Sequence, residues 1–315
     1  MYILPVMRLT KQSILQKYGA SPAHLIRKGM EAEVYAIGAD RLLKLYSGTT
    51  NLAYLTSLQE FYARINQFTL SYALPYIETV RAEGGLCISF ERRLPGSPMS
   101  EILSTLTQRQ MDRMMQAYLA AALELTSIHV PPDFDRYKLL DVEGISRRTD
   151  GDWHQFLGRF LAHKLKQVTT YLKRDVTDSA VKIPRLYTSL ARPYTGTPHV
   201  IHGDFFPGNI LVDTRHKITA LLDFGLFTMY GDSLFDIATG WVLFDMYEEL
   251  KANLRERYLA IILETLGTRV RGKLYFYVLL YSLLSANAYS STCADGHYQW
   301  CVENLNNQEY WKYVE

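Results

Sequence analysis

Two short stretches carry side chains whose types and spacing suit one kind of chemistry. The first is Val200-Ile-His-Gly-Asp-Phe-Phe-Pro-Gly-Asn-Ile-Leu-Val-Asp213, and the second is Ile218-Thr-Ala-Leu-Leu-Asp-Phe-Gly225. Apolar residues at Ile210 to Val212 and Ala220 to Leu222 flank the turn-forming Pro207 and Gly208, so the polar groups sit where short buried strands end. Asp204 precedes Asn209 by five positions, and Asp223 closes the second apolar run. That order, Asp-x-x-x-x-Asn followed by Asp-Phe-Gly, is the one used for phosphoryl transfer. A carboxylate at Asp204 would orient an attacking hydroxyl and accept its proton. The Asn209 amide oxygen and the Asp223 carboxylate are hard donors suited to Mg²⁺ beside nucleotide phosphates. Either motif alone reads as an ordinary turn after a core strand; the two together, in order, point to phosphotransfer.

His202-Gly203-Asp204, Asn209 and Asp223-Phe224-Gly225 resemble the aminoglycoside phosphotransferase and choline kinase branch of the protein-kinase-like superfamily. Gly231-Asp232-Ser233-Leu234-Phe235-Asp236-Ile237-Ala238 resembles the helix start of the same branch, and Ile218 to Phe244 is similar to hygromycin phosphotransferases. The resemblance implies an α+β, two-lobed kinase-like fold, with an antiparallel-sheet lobe over residues 1–91 and a mostly helical catalytic and acceptor-binding lobe over 92–315. It further implies that the turn around Gly29 covers the nucleotide phosphates and that Lys44 reaches them. The backbone around Glu91 to Arg93 would bond the base, and Asp236 would brace the catalytic loop. The turn at Gly29 has one glycine where a glycine-rich loop has several, which leaves ATP and GTP both open.

These groups need elements to hold them. Thr10 to Tyr18 reads as a short capped helix, and His24 to Ile37 with Asp40 to Tyr46 as three strands. Lys44 lies mid-strand among Leu42, Leu43, Leu45 and Tyr46, so an inward-facing ammonium there needs a partner. Asn51 to Phe68 shows apolar residues every three or four positions, an amphipathic helix, and Glu60 on it is the expected partner of Lys44. Tyr76 to Arg81 and Leu86 to Glu91 form a hairpin around Ala82-Glu-Gly-Gly85. A methionine-rich helix follows within 99–129, then a less regular stretch from Asp133 to His199 with a helical centre at Trp153 to Leu172. Helices from Glu249 to Leu266, Lys273 to Asn287 and Gly296 onward complete the chain.

At 315 residues, 48% hydrophobic and 21% charged, the chain has room for about two domains with a substantial core. A net charge of +2 excludes a nucleic-acid binder that works through its overall field. The apolar start, Met1 to Arg8, is too short for a secretion signal, and the longest apolar run, Leu274 to Leu284, is too short for a membrane span. Cys87, Cys293 and Cys301 are an odd number without Cys-x-x-Cys spacing, which fits a cytoplasmic protein without disulfides or structural zinc. No obligate protein partner is indicated.

Only eight residues separate Asp223 from Asp232, and Phe206 stands where protein kinases carry a lysine. Both departures point to a small hydroxylated acceptor rather than a peptide. An aminoglycoside-type antibiotic leads; a macrolide, choline, homoserine or a sugar is the alternative, followed by a nucleotide-binding pseudokinase. A cationic acceptor would need local carboxylates. The candidates are Asp133, Asp135, Asp141, Asp150 and Asp152 in the insert, and Asp245, Glu248, Glu249, Asp295 and Glu303 beyond the catalytic motifs.

Overall fold

The computed structural model describes residues 10–29, 32–46, 50–129, 153–224, 227–246 and 253–314. These fold into two compact units: one takes 10–97 and 211–223, the other 98–129, 153–210 and 224–314, within their described parts. The boundary expected at residue 91 thus lies six positions before the one at Ser97, and the first unit also recovers a segment from the catalytic stretch.

The first unit opens with α1 (Lys11–Lys17), capped as expected by the Thr10 side chain on the Ser13 amide. Strands β1 (Leu25–Lys28), β2 (Ala32–Ile37) and β3 (Arg41–Tyr46) precede α2 (Leu52–Ile65), and β4 (Ile77–Glu83) and β5 (Leu86–Arg92) follow it. They form one antiparallel sheet in the order β1-β2-β3-β5-β4. The β4–β5 turn places Gly84 and Gly85 at φ +60° and +83°, the left-handed pair that a two-residue hairpin requires. Side chains alternate across β3: Leu43 and Leu45 join Ile14, Leu15, Tyr35, Ile88 and Phe90 in a core cluster, which turns Lys44 to the other face. A fully buried leucine or phenylalanine contributes about 1.5–3 kcal/mol, so this cluster fixes the register that aims Lys44. Asn51 caps α2 through the Tyr54 amide at 2.8 Å.

After β6 (Ser97–Pro98), the second unit runs through α3 (Gln108–Glu124), α4 (Trp153–Asp175), α5 (Ser179–Leu190) and β7 (His199–Ile201). The chain then makes the hairpin strands β8 (Ile210–Val212) and β9 (Ile218–Leu221), which belong to the first unit from Leu211 on, and returns to the second with β10 (Met229–Gly231), which pairs with β7. The chain ends in α6 (Leu234–Leu243), α7 (Leu254–Leu266), α8 (Arg271–Leu284), α9 (Gly296–Asn306) and α10 (Gln308–Trp311). Every α6 residue from Phe235 to Leu243 is buried, and ten residues of α8 are buried with it. Phe235 meets Tyr277 and Tyr281, and Trp241 stacks on Tyr275, so α6 is locked in place by aromatic contacts before any polar group is considered. The helix expected from Glu249 starts instead at Leu254, after Asn253 in the left-handed region; Glu249 lies outside the described residues.

Candidate active site

In the first unit, Lys44 sits on a strand paired on both sides, opposite Val34 on β2 and Ser89 on β5. Its ammonium lies 3.0 Å from Glu91 Oε2 and 2.6 Å from Asp223 Oδ1, and its side chain is only 12% exposed. Burial works against the Lys44 charge, but Asp223 and then Glu91 outweigh it and hold the ammonium well above the ordinary lysine range. Glu91 is itself buried, and its Oε1 accepts from Ser89 Oγ at 2.7 Å and Tyr46 Oη at 3.2 Å. Asp223 is exposed, and its carboxylate is a hard oxygen donor.

The expected Lys44–Glu60 pair is replaced. The buried stripe of α2 is Leu55, Leu58, Phe61, Tyr62 and Ile65; Glu60 falls off it and is exposed. Tyr62 turns inward in its place, its hydroxyl pushed up by burial and by the charge of Asp223. At the base-binding segment, the Arg92 amide donates to Tyr76 O and the Arg93 amide to Asp40 O at 2.8 Å. A base could take neither of these two donors without breaking these bonds. Gly29 also uses its amide within the chain, donating to Ala32 O at 2.9 Å, and its φ lies outside the left-handed region. Met30 and Glu31, the rest of that turn, lie outside the described residues, as do Gly225 and Leu226.

In the second unit, Asp204 and Asn209 belong to the loop between β7 and β8. Asn209 Nδ2 donates to both Asp204 O at 3.0 Å and Asp204 Oδ2 at 2.8 Å. Both acceptors lack hydrogens, so the amide orientation is fixed and Oδ1 faces the opposite way as a hard oxygen donor. Asp204 is half-buried and its amide donates to His202 Nδ1. The His202 ring, wholly buried, packs on Phe224 at 4.5 Å between centroids. Tyr118 Oη donates to Phe205 O at 3.0 Å, tying α3 to the loop. Gly208 accommodates the Phe206 ring, whose nearest atom would lie 2.4 Å from an added Cβ.

Asp236 braces this loop from α6. Its Oδ2 accepts from the His202 amide at 2.6 Å and its Oδ1 from the Gly203 amide at 2.9 Å. Burial pushes its carboxyl up to about 7, the two amides pull against that, and the nearby charge of Asp204 adds to the rise. Because the folded value lies above the unfolded 3.8, the folded protein keeps a proton that the unfolded chain releases between about pH 4 and 7. Stability therefore falls as pH rises through that window. Asp236→Asn cannot ionise, so it is expected to lose this pH dependence, while an NH₂ set against the His202 or Gly203 amide lowers its stability at about pH 5 below that of wild type. It is also expected to be less active, since its NH₂ faces a backbone N–H. Denaturant unfolding at about pH 5 and about pH 8 checks this; an unchanged pH slope in the variant would show that another group titrates.

Four further partners were not legible as motifs. Asp232 caps α6 at the Leu234 amide and pairs with Lys273 Nζ at 2.6 Å and Tyr277 Oη at 2.9 Å. Tyr281 and Tyr289 both feel the charge of Asp204, after burial, in the rise of their hydroxyls; Tyr289 is exposed. Of the expected amine-binding carboxylates, Asp245 pairs with Arg255 at 3.0 Å, Glu303 is exposed, and Asp295 caps α9 at the Tyr298 amide through Oδ1. Asp295 Oδ2 is buried without a hydrogen-bond partner. Asp133, Asp135, Asp141, Asp150, Asp152, Glu248 and Glu249 lie outside the described residues. All three cysteines are free. Among the described residues, no three His, Cys, Asp or Glu cluster as a metal cage. Mg²⁺ held mainly by nucleotide phosphates needs only one or two protein ligands, so Asn209 and Asp223 fit it by donor type.

A lysine held between two carboxylates in the sheet-bearing unit, with a braced Asp-x-x-x-x-Asn loop in the helical unit, defines a kinase-like phosphotransferase. The phosphotransferase enzyme family, APH, matches the chain over residues 23–275, and the chain belongs to that family. It is a small-molecule kinase of the aminoglycoside phosphotransferase and choline kinase branch. No curated protein matches it. Similar solved structures include the gentamicin complex of APH(2")-IIa, with TM-score 0.61, 16% identity and 93% of each chain covered. ADP-bound APH(2'')-Ib gives 0.60 and 16%, over 93% of this chain and 94% of that one. The GDP complex of aminoglycoside 2'-phosphotransferase-IIIa gives 0.61 and 14%, over 92% of each. These likenesses are of fold, an α+β kinase-like one. No described helix is long and apolar enough to cross a membrane.

Proposed function

We propose that the protein transfers the γ-phosphoryl group of ATP or GTP, with Mg²⁺, to a hydroxyl of a small molecule in the cytoplasm, with an aminoglycoside-type antibiotic as the leading acceptor. The observation that carries this reading is the Asp204–Asn209 pair, in which one amide both fixes the base and presents an oxygen donor. Bound Mg²⁺ would neutralise charge on the nucleotide phosphates. Asp204 orients the acceptor hydroxyl and takes its proton, Lys44 binds phosphate oxygens, and Asn209 and Asp223 hold the metal. The gentamicin bound to APH(2")-IIa and the unpartnered buried Asp295 Oδ2 favour a cationic acceptor. The aromatic side chains of Tyr281 and Tyr289 near the charge of Asp204 favour, as a second reading, an acceptor with an apolar face such as a macrolide.

Purified protein with ATP and with GTP, screened against aminoglycosides, macrolides and hydroxylated metabolites, tests the reading. Phosphorylation of a neutral or anionic metabolite alone would end the cationic acceptor. Asp223→Ala is expected to weaken nucleotide binding by about tenfold or more in the presence of Mg²⁺ and to abolish its Mg²⁺ dependence, because a carboxylate is the stronger of the two ligands. Calorimetry with and without Mg²⁺ measures this, and equal Mg²⁺ dependence in the two proteins rules out the metal role.

A further inference from the structure

Resting on that reading, we infer that Glu91, on β5, is the residue that positions Lys44 for the nucleotide phosphates, in place of a carboxylate on α2. Lys44 and Glu91 lie on adjacent strands of one sheet, β3 and β5, whose register sets Lys44 opposite Ser89 and Leu42 opposite Glu91. Opposed residues share a face, and a diagonal pair two positions apart is within reach of long side chains. The carboxylate therefore arrives beside the ammonium by strand pairing alone, at 3.0 Å. Ser89 and Tyr46, on the same face, hold its other oxygen, so the Glu91 rotamer is fixed before nucleotide enters.

Two consequences follow. A lysine anchored within its own sheet keeps its position when α2 shifts, so the helix has no lever on the phosphate site. Glu91 also decides which carboxylate retains Lys44. Asp223, at 2.6 Å from the same ammonium, is the proposed metal ligand, and a lysine bound to it competes with the cation. Glu91 supplies the second anchor that lets Asp223 turn to the metal while the ammonium stays in place. Without it, Lys44 has Asp223 as its remaining ion-pair partner, and the lysine and Mg²⁺ contend for one carboxylate.

The test is a fluorescence titration of MgATP and MgGTP against wild type, Glu91→Gln, Lys44→Met, the Lys44→Met/Glu91→Gln double variant and Glu60→Gln, with melting curves to verify folding. Glu91→Gln is expected to bind at least about tenfold more weakly, from the loss of one charge-assisted bond. It is also expected to need more Mg²⁺ for half-saturation, and Glu91→Asp should recover part of the loss. Because Glu91 acts through Lys44, the double variant should bind no more weakly than Lys44→Met alone. Glu91→Gln within twofold of wild type, a double variant weaker by the product of both losses, or Glu60→Gln reproducing the defect would each overturn the inference. Wild-type affinity in Lys44→Met would instead overturn the proposed phosphate role of Lys44, and with it this inference.

Discussion

Asp204→Ala lowers kcat on the order of 10²–10⁴, the usual worth of a positioned general base, while nucleotide affinity and melting temperature stay near wild type. The asymmetry follows from what Asp204 touches. Its side chain accepts from Asn209, and the scaffold of the loop runs through backbone atoms: Asp236 to His202 and Gly203, Tyr118 to Phe205, Thr228 to the His202 carbonyl. Removing the carboxylate leaves that scaffold whole and removes an interaction made chiefly in the transition state. Asn209 loses one acceptor but keeps the Asp204 carbonyl at 3.0 Å, so the metal-facing amide oxygen should hold its direction. Steady-state kinetics with the acceptor from the screen measure kcat, and nucleotide titration gives the binding arm. Near-wild-type turnover in the folded variant would remove Asp204 as the base. A parallel collapse of nucleotide affinity would assign it to the metal instead.

Much of this site was legible because its chemistry is local in sequence. Asp204, Asn209 and Asp223 stand in motifs whose spacing the turn and short strands preserve, and Thr10 announces its helix by cap chemistry. Lys44 was legible as a lysine among apolar neighbours that must face a partner. The partner itself was not. Choosing between Glu60 and Glu91 depends on the β3–β5 register and on which α2 residues face inward, and both are set by packing across distant segments. The same holds for Asp232 with Lys273 and Tyr277, joined by a helix packing that no spacing encodes. Helix α5 was hidden within the irregular stretch by Pro184 in its interior, a residue that argues against a helix unless packing overrides it. The left-handed Asn253 gave no signal for the late start of α7, since asparagine occurs in many other conformations.

Among the described glycines, Gly203→Ala is expected to be the most damaging substitution, lowering both stability and turnover. Gly203 has φ +79°, and an added Cβ would lie 2.0 Å from the Phe227 carbonyl carbon and 2.2 Å from the Thr228 nitrogen. Both clashing atoms are backbone, so no side chain can rotate away to relieve the contact. The left-handed conformation alone costs an alanine about 1–2 kcal/mol, and forcing a methyl into packed backbone adds about 1–3 kcal/mol more. The loop can relieve the clash only by moving Gly203 off Phe227, which pulls its amide from Asp236 Oδ1 and shifts Asp204, the next residue. A folded variant should therefore show reduced kcat in addition to a lower melting temperature. Asp204→Ala, by contrast, should lose turnover without losing stability, and that difference separates a residue doing chemistry from one holding it in place. Melting curves and kinetics on both variants, with Gly208→Ala as a third, make the comparison. At Gly208 the clash is with the Phe206 ring at 2.4 Å, a side chain that can turn aside, so the stability cost should be smaller. If Gly203→Ala melts within a degree or two of wild type, the close approach of this loop to Phe227 and Thr228 is not maintained in solution.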